Sequence, residues 1–349
     1  MNRPSRRSRG SVTIEDVARE AGVSAMTVSR VINKGANVRE RTRENVEKAI
    51  AQLHYSPNSA ARSLAAGDAT HIGLLYSNPS AAYLSQFLVG ALETARTAGC
   101  HLVIEPCGSD DEDEQRAAAL SFANADVEGV MLPPPLSGSS AILAELARAD
   151  VPVVTVAKGQ LENDLNVRMD DFGAAHELTS YLIGLGHRRI SFIKGHPQQI
   201  ASVDRERGFL AAIDDAGIDR RYVRLEQGYF TFRSGLDAAE RLLDDATPPT
   251  AIFASNDDMA AAVVSVAHRR GLVVPADLSV VGFDDTSLAT TVWPELTTIR
   301  QPVSQMAEAA LELLLSDLRA RRRGASIGPT ERVLGHELII RQSASPPRG

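Results

Sequence analysis

The chain has 349 residues, 44% of them apolar and 23% charged, the composition of a folded protein with room for two domains. Cys100 and Cys107 are too few for a disulfide framework or a four-thiolate metal site, and no apolar run approaches the ~20 residues of a membrane span. The net charge of -7 is unevenly spread: residues 1–67 carry 12 Lys and Arg against 6 Asp and Glu, the remainder 25 against 38, so a basic head suited to a polyanion precedes an acidic body.

The first residues hold Arg3, Arg6, Arg7 and Arg9 but no apolar signal core, so we expect a cytoplasmic protein whose tail adds only non-specific electrostatic attraction. Ile14, Val17, Ala18 and Ala21 recur at i, i+3, i+4 and i+7, one apolar face of a short helix that Thr13 can cap. Gly22 supplies a turn, and Ser24 can cap a second helix running to about residue 33. On it Val28, Val31 and Ile32 face inward, whereas Ala25, Met26, Ser29, Arg30 and Asn33 form the opposite face. A third helix over 40–53 buries Val46, Ile50 and Leu53 and leaves Arg41, Arg43 and Lys48 in water. Two helices joined by a tight glycine turn, the second with a small polar and basic face, form a helix-turn-helix pattern.

The string VTIEDVAREAGVSAMTVSRVIN over 12–33 closely resembles the headpiece of the lactose-repressor (LacI/GalR) family of bacterial transcription regulators. The likeness continues through TRENV at 42–46, LHYSPN at 53–58 and AARSLAAG at 60–67, which matches the family's hinge helix. So short a helix is marginal in water and should order only with a second subunit and DNA. The resemblance implies that Leu64, with Ala61 in the same hinge, enters the minor groove, where an apolar wedge kinks the duplex. By residue type, Arg30 suits a guanine edge or a phosphate, and Ala25 and Met26 suit thymine methyls. Thr13, Ser24, Thr27, Ser29, Asn33, Thr42 and Asn58 are candidates for phosphate contacts. Arg39 stands where the family has a small hydroxyl residue, which weakens a helix cap and adds a possible phosphate contact.

From residue 71 onward strand-like and helix-like segments alternate, the pattern of doubly wound α/β sheets with parallel strands. Strands are expected over 72–76, 102–104, 129–132, 151–156, 190–194, 222–226, 251–255 and 278–283, with another series beginning near 167. Helices are expected over 84–98, 113–123, 140–149, 172–185, 205–216, 235–243 and 259–270. About ten strands exceed one comfortable sheet, so two lobes follow. The resemblance implies a periplasmic-binding-protein-like body crossed three times by the chain. We expect a helix-turn-helix headpiece at 11–56, a hinge at 57–68 and a body at 69–342. Within the body, lobe one takes 70–168 and 301–328, and lobe two takes 169–300 and 329–342.

Ligands of open α/β sheets sit beyond the carboxyl ends of strands. Asp284 and Asn256 end expected strands, and Arg205 opens the expected helix after 190–194. A carboxylate, an amide and a guanidinium suit adjacent sugar hydroxyls, and Phe230 can stack on a sugar face. All four fall where the family holds its effector, and Ser77, Ala81 and Phe87 are expected opposite them. Ala157, Lys158 and the prolines 133–135 depart from sugar-responsive members, so the effector's identity stays open and an acidic sugar is conceivable. The adjacent Asp284 and Asp285 should point apart, and no nucleophile elbow, phosphate loop or metal spacing accompanies them. The reading is therefore a regulator, with no catalytic residue, metal or cofactor expected. It is a repressor of carbohydrate-utilisation genes, released from a palindromic operator by a small sugar. The alternative is activation by a corepressor, either a small molecule or, as in some family members, a phosphocarrier protein. The tail QSASPPRG at 342–349 is too short for a coiled coil, so a homodimer is expected.

Overall fold

The computed structural model describes residues 14–32, 39–53, 70–108, 111–124, 127–157 and 165–348. The chain divides into two compact units, 1–69 and 70–349. In the first, helices α1 (Ile14–Ala21), α2 (Ala25–Ile32) and α3 (Glu40–Gln52) surround Val17, Ala18, Val28, Val31, Val46 and Ala49. Gly22 takes a left-handed φ of 67° after α1, letting the Val23 amide bond back to the Ala18 carbonyl at 3.0 Å. Ser24 caps α2 by accepting from the Thr27 amide at 3.2 Å. Thr13, Asn33, Asn58, Ala61 and Leu64, and the expected hinge at 57–68, lie outside the described residues.

The second unit holds two parallel sheets. Its first sheet has the order β2-β1-β3-β4-β5-β11. These strands are β1 (His71–Tyr76), β2 (His101–Pro106), β3 (Gly129–Leu132), β4 (Val153–Val156), β5 (Leu165–Met169) and β11 (Thr330–Leu334). Helices α4 (Ala81–Ala98), α5 (Glu112–Asn124), α6 (Ser140–Arg148) and α12 (Val303–Arg321) belong with it. The second sheet, β7-β6-β8-β9, comprises β6 (Ile190–Lys194), β7 (Arg224–Gln227), β8 (Ala251–Ala254) and β9 (Ser279–Val281). Its helices are α7 (Asp171–Gly184), α8 (Ile200–Asp215), α9 (Phe232–Leu243), α10 (Asp257–Arg269) and the short α11 (Ser287–Thr291). An antiparallel pair, β10 (Thr298–Arg300) with β12 (Glu337–Ile339), lies where the chain passes between lobes.

The expected partition of the C-terminal segment needs correction. Residues 329–342 do not all belong to lobe two, because β11 pairs in parallel with β5 and completes the first sheet. Only the chain after it returns, and Ser343 and Ser345 hydrogen-bond to Val280 and Ser279 of β9. Each sheet has its own core. Ile72, Leu74, Phe87, Met131 and Leu314 fill one, while Phe192, Phe209, Phe253 and Phe283 stack in the other.

Candidate effector cleft and nucleic-acid interface

On the first unit the expected DNA-facing residues are only partly free. Met26 is 67% exposed and Arg30 is exposed, as a base-reading face requires. Ala25 is half-buried and packs against the three-helix core instead of standing clear of it. The hydroxyls of Ser24 and Thr27 lie 2.9 Å apart at the start of α2, so a phosphate would share donors already paired with each other. Arg39 is exposed and precedes α3, its carbonyl accepting from the amides of Thr42 and Arg43 at 2.9 and 3.0 Å.

In the second unit, strand ends and helix starts from both lobes converge on one cavity of about 40 Å³. Lobe one contributes Asn78, Ser80, Tyr83, Pro134 and Ala157. Lobe two contributes Asp171, Gln199, Arg205, Phe230, Asn256 and Asp284, with Gln301 and Met306 beyond the crossover strand β10. Among the seven expected effector residues, the structure brings together Arg205, Phe230, Asn256 and Asp284. Ser77 lies in an adjoining outer recess. Ala81 is exposed, and Phe87, one turn beyond Tyr83 along α4, is fully buried in the core of lobe one, so neither lines the cavity.

Arg205 does not open a helix, since α8 starts at Ile200 and places Arg205 in its second turn. Its guanidinium is buried, with Nε donating to Asp171 Oδ1 at 2.8 Å and an Nη donating to the Ser255 carbonyl at 2.6 Å. The guanidinium carbon lies 3.7 Å from the centre of the Phe283 ring and 5.7 Å from that of Phe230. A cation so held is a fixed wall rather than a free anion receptor. Phe230 itself takes a φ of 60° and lies over Gly195, where any side chain would collide with its ring. Asn256 holds it there, donating to the Phe230 carbonyl at 3.0 Å while its side-chain oxygen caps α10 through the Met259 amide at 3.0 Å. The expected ligand amide is therefore largely committed to the protein's own backbone.

Asp284 follows β9 with a φ of 112°, a left-handed strain that a side chain seldom adopts. Gln301 donates to its Oδ1, and Arg205 lies 3.7 Å away. No bond is found to its Oδ2 among the described residues. Burial pushes its carboxyl up to about 7, against the pull of Arg205 and Gln301 and helped by the charges of Asp258 and Asp171. Asp257 is raised well above the usual carboxylate range by burial and by Asp284, though Thr286 and Thr298 satisfy both its oxygens. The Tyr83 phenol is also buried and has no bonded partner among the described residues; burial first, then Asp284, raises its pKa. Across the cleft Ser80 donates to Asp258 Oδ2 at 2.8 Å, a direct tie between the lobes. Asp171, Tyr83, Ser80 and Gln301 were not foreseen from the sequence.

Residues 13–58 match the model of bacterial regulatory proteins of the lacI family, and residues 179–344 that of a periplasmic binding protein-like domain. The chain is 34% identical over 337 residues to catabolite control protein A of Priestia megaterium, covering 95% of this chain and 99% of that protein. It belongs to the lacI family of bacterial regulatory proteins. This lacI-family regulator is also 36% identical over 323 residues to the HTH-type transcriptional repressor PurR of Pectobacterium atrosepticum, covering 90% of this chain and 93% of that one. Among solved structures, the transcriptional regulator CelR in complex with cellobiose is similar, with a TM-score of 0.72 and 31% identity over 95% of this chain and all of that one. The Lac repressor dimer bound to operator and the anti-inducer ONPF gives 0.72 and 27% over 96% of this chain and all of that one. The lacI-family chain is thus a DNA-binding transcription regulator, and among its described residues no helix is long and apolar enough to cross a membrane. No group of three or more His, Cys, Asp or Glu among them could hold a metal ion.

Proposed function

We propose that the protein is a transcriptional repressor that binds a palindromic operator as a homodimer and is released by a small sugar held between its lobes. The observation that carries this reading is the presence in one cavity of two buried groups with no bonded partner among the described residues: the Tyr83 hydroxyl and Asp284 Oδ2. Buried polar groups are rarely left unbonded, and a ligand offering both donor and acceptor would complete them. Arg205, Phe230, Asn256 and Asp284 are the proposed lobe-two contacts or their supports, with Tyr83, rather than Ala81 or Phe87, opposite them. The headpiece contacts are Met26 and Arg30 to bases, with Ser24, Ala25, Thr27, Ser29, Arg39 and Thr42 around them. Thr13, Asn33 and Asn58 keep the phosphate contacts that their residue types suit, and Ala61 and Leu64 the hinge role that the family resemblance implies. Single headpieces bury too little surface for tight specific binding, which two symmetric copies on a palindrome would supply. Selection of bound duplexes from a random library tests this: the reading requires a two-fold symmetric consensus and a sugar that weakens its binding. A sugar that strengthens binding would instead make the effector a corepressor. A consensus without symmetry would contradict the dimer.

A further inference from the structure

The cavity holding Asp284 and Tyr83 is not the whole of the cleft. At about 40 Å³ it falls far below the ~300–1,000 Å³ of sites that enclose a drug-sized ligand. Asn78, Pro79 and Gln199 line it and also line an outer recess of about 690 Å³. The two spaces therefore share a wall from each lobe. The recess continues along neighbouring chain segments, with Pro135 following the inner Pro134 and both Tyr229 and Thr231 flanking the inner Phe230.

We propose that the recess is a second ligand subsite and that the effector is an uncharged glycoside of two linked sugar units, which parts the lobes to seat its inner unit against Asp284 and its outer unit against Tyr229. This rests on the reading of the inner cavity as the effector site. Three features of the recess support it. Tyr229 is 46% exposed there, and the edge-to-face arrangement with His196, centres 5.7 Å apart, braces its ring as a platform for the apolar face of a pyranose. Its own amide is bonded to Ser234 at 2.9 Å, which fixes the backbone beneath the ring. The remaining wall is rich in amides and hydroxyls, including Gln198, Gln199 and Ser140, which suit sugar hydroxyls. Its described lining holds no lysine or arginine to receive a phosphate or a carboxylate, and its one acidic residue, Glu112, is paired with Arg116 at 2.7 Å. Among the described residues of the inner cavity the one guanidinium, Arg205, stands between the carboxylates of Asp171 and Asp284 and donates to the Ser255 carbonyl. Among the described residues, neither space presents a lysine or arginine free of a carboxylate partner.

Calorimetry on the full-length protein tests this with glucose, galactose, mannose and xylose against cellobiose, lactose, maltose, mannobiose and xylobiose, together with glucose 6-phosphate and glucuronate. At least one disaccharide should bind ten-fold or more tightly than its component monosaccharide, and neither anion should compete. Tyr229→Ala should remove that advantage while leaving the monosaccharide affinity unchanged, and Tyr229→Phe should retain it. Asp284→Asn should weaken both ligands. Equal affinity for the monosaccharide and every disaccharide, with both lost in Asp284→Asn, would overturn the outer subsite and keep the inner site. Binding of every ligand unaffected by Asp284→Asn would overturn the inner site itself. Tighter binding of either anion than of glucose, or no binding across the whole set, would overturn the proposed ligand class.

Discussion

Asp284 combines a strained backbone, a buried carboxylate and, among the described residues, one oxygen without a bonded partner, costs that a ligand would offset. Its carboxyl is raised from an ordinary 3.8 to about 7. The folded state therefore holds the proton more tightly than the unfolded chain, and its stability falls as pH rises between those values. Asp284→Asn removes that dependence. By chemical denaturation the variant should match the parent near pH 4 and exceed it at pH 8, by on the order of a few kcal/mol, while losing its ligand. A variant less stable than the parent at pH 8 would show that the charge is net stabilising. Asp284 was legible because it follows a strand whose apolar run is unmistakable. Asp171 follows β5 in the same way but was missed, since the turn from β5 to α7 falls in a stretch with no clear apolar boundary. Tyr83 was missed because the helix around it begins at Ala81, earlier than its apolar pattern suggests. On that face Tyr83 lies at the cleft end and Phe87 one turn deeper.

At the scale of elements, the alternating strands and helices could be read from apolar runs and their spacing, while pairings across long sequence separations could not. Strand β11 is the clearest case. Its Thr330–Leu334 sequence alternates half-buried and exposed residues, which marks an edge strand, but nothing local says which sheet has the free edge. The contact between α4 and α12 is equally invisible in sequence, and it depends on Gly90. A Cβ there would stand 2.2 Å from the Ser304 carbonyl oxygen, so the helices can approach only because Gly90 has none. Gly90→Ala should lower stability by about 1–3 kcal/mol in chemical denaturation, and an unchanged midpoint would mean that α12 shifts freely. The C-terminal return is held differently, by His187, whose Nε2 donates to the Ser345 carbonyl at 2.9 Å while its Nδ1 lies 2.9 Å from the Thr250 hydroxyl. Burial lowers its pKa below the usual 6.5. The unfolded chain then takes up the proton first, so this contribution is present above that value and lost as pH falls below it. Hydrogen exchange at residues 342–345, corrected for intrinsic rates, should accelerate between pH 7.5 and 5.5. Unchanged protection would remove His187 from the account.

For the whole molecule, the contrast between a basic head and an acidic body means that DNA attraction should reside in the first unit and fade steeply with salt. Leu64, outside the described residues, should matter only for specific binding. Leu64→Ala should weaken operator binding while leaving the weak salt-sensitive binding to random DNA intact, and equal loss of both would point to headpiece stability instead. The central claim is that the cleft and the headpiece are energetically linked, which requires a ligand with different affinities for the DNA-competent and incompetent states. Fluorescence anisotropy on a selected operator duplex, with and without the best-binding sugar, measures that link in the parent and in Asp284→Asn. We predict roughly 5–150-fold weaker binding on sugar addition in the parent, equal operator affinity of both proteins without sugar, and no response in the variant. A variant that releases DNA at the same sugar concentration as the parent would contradict the account.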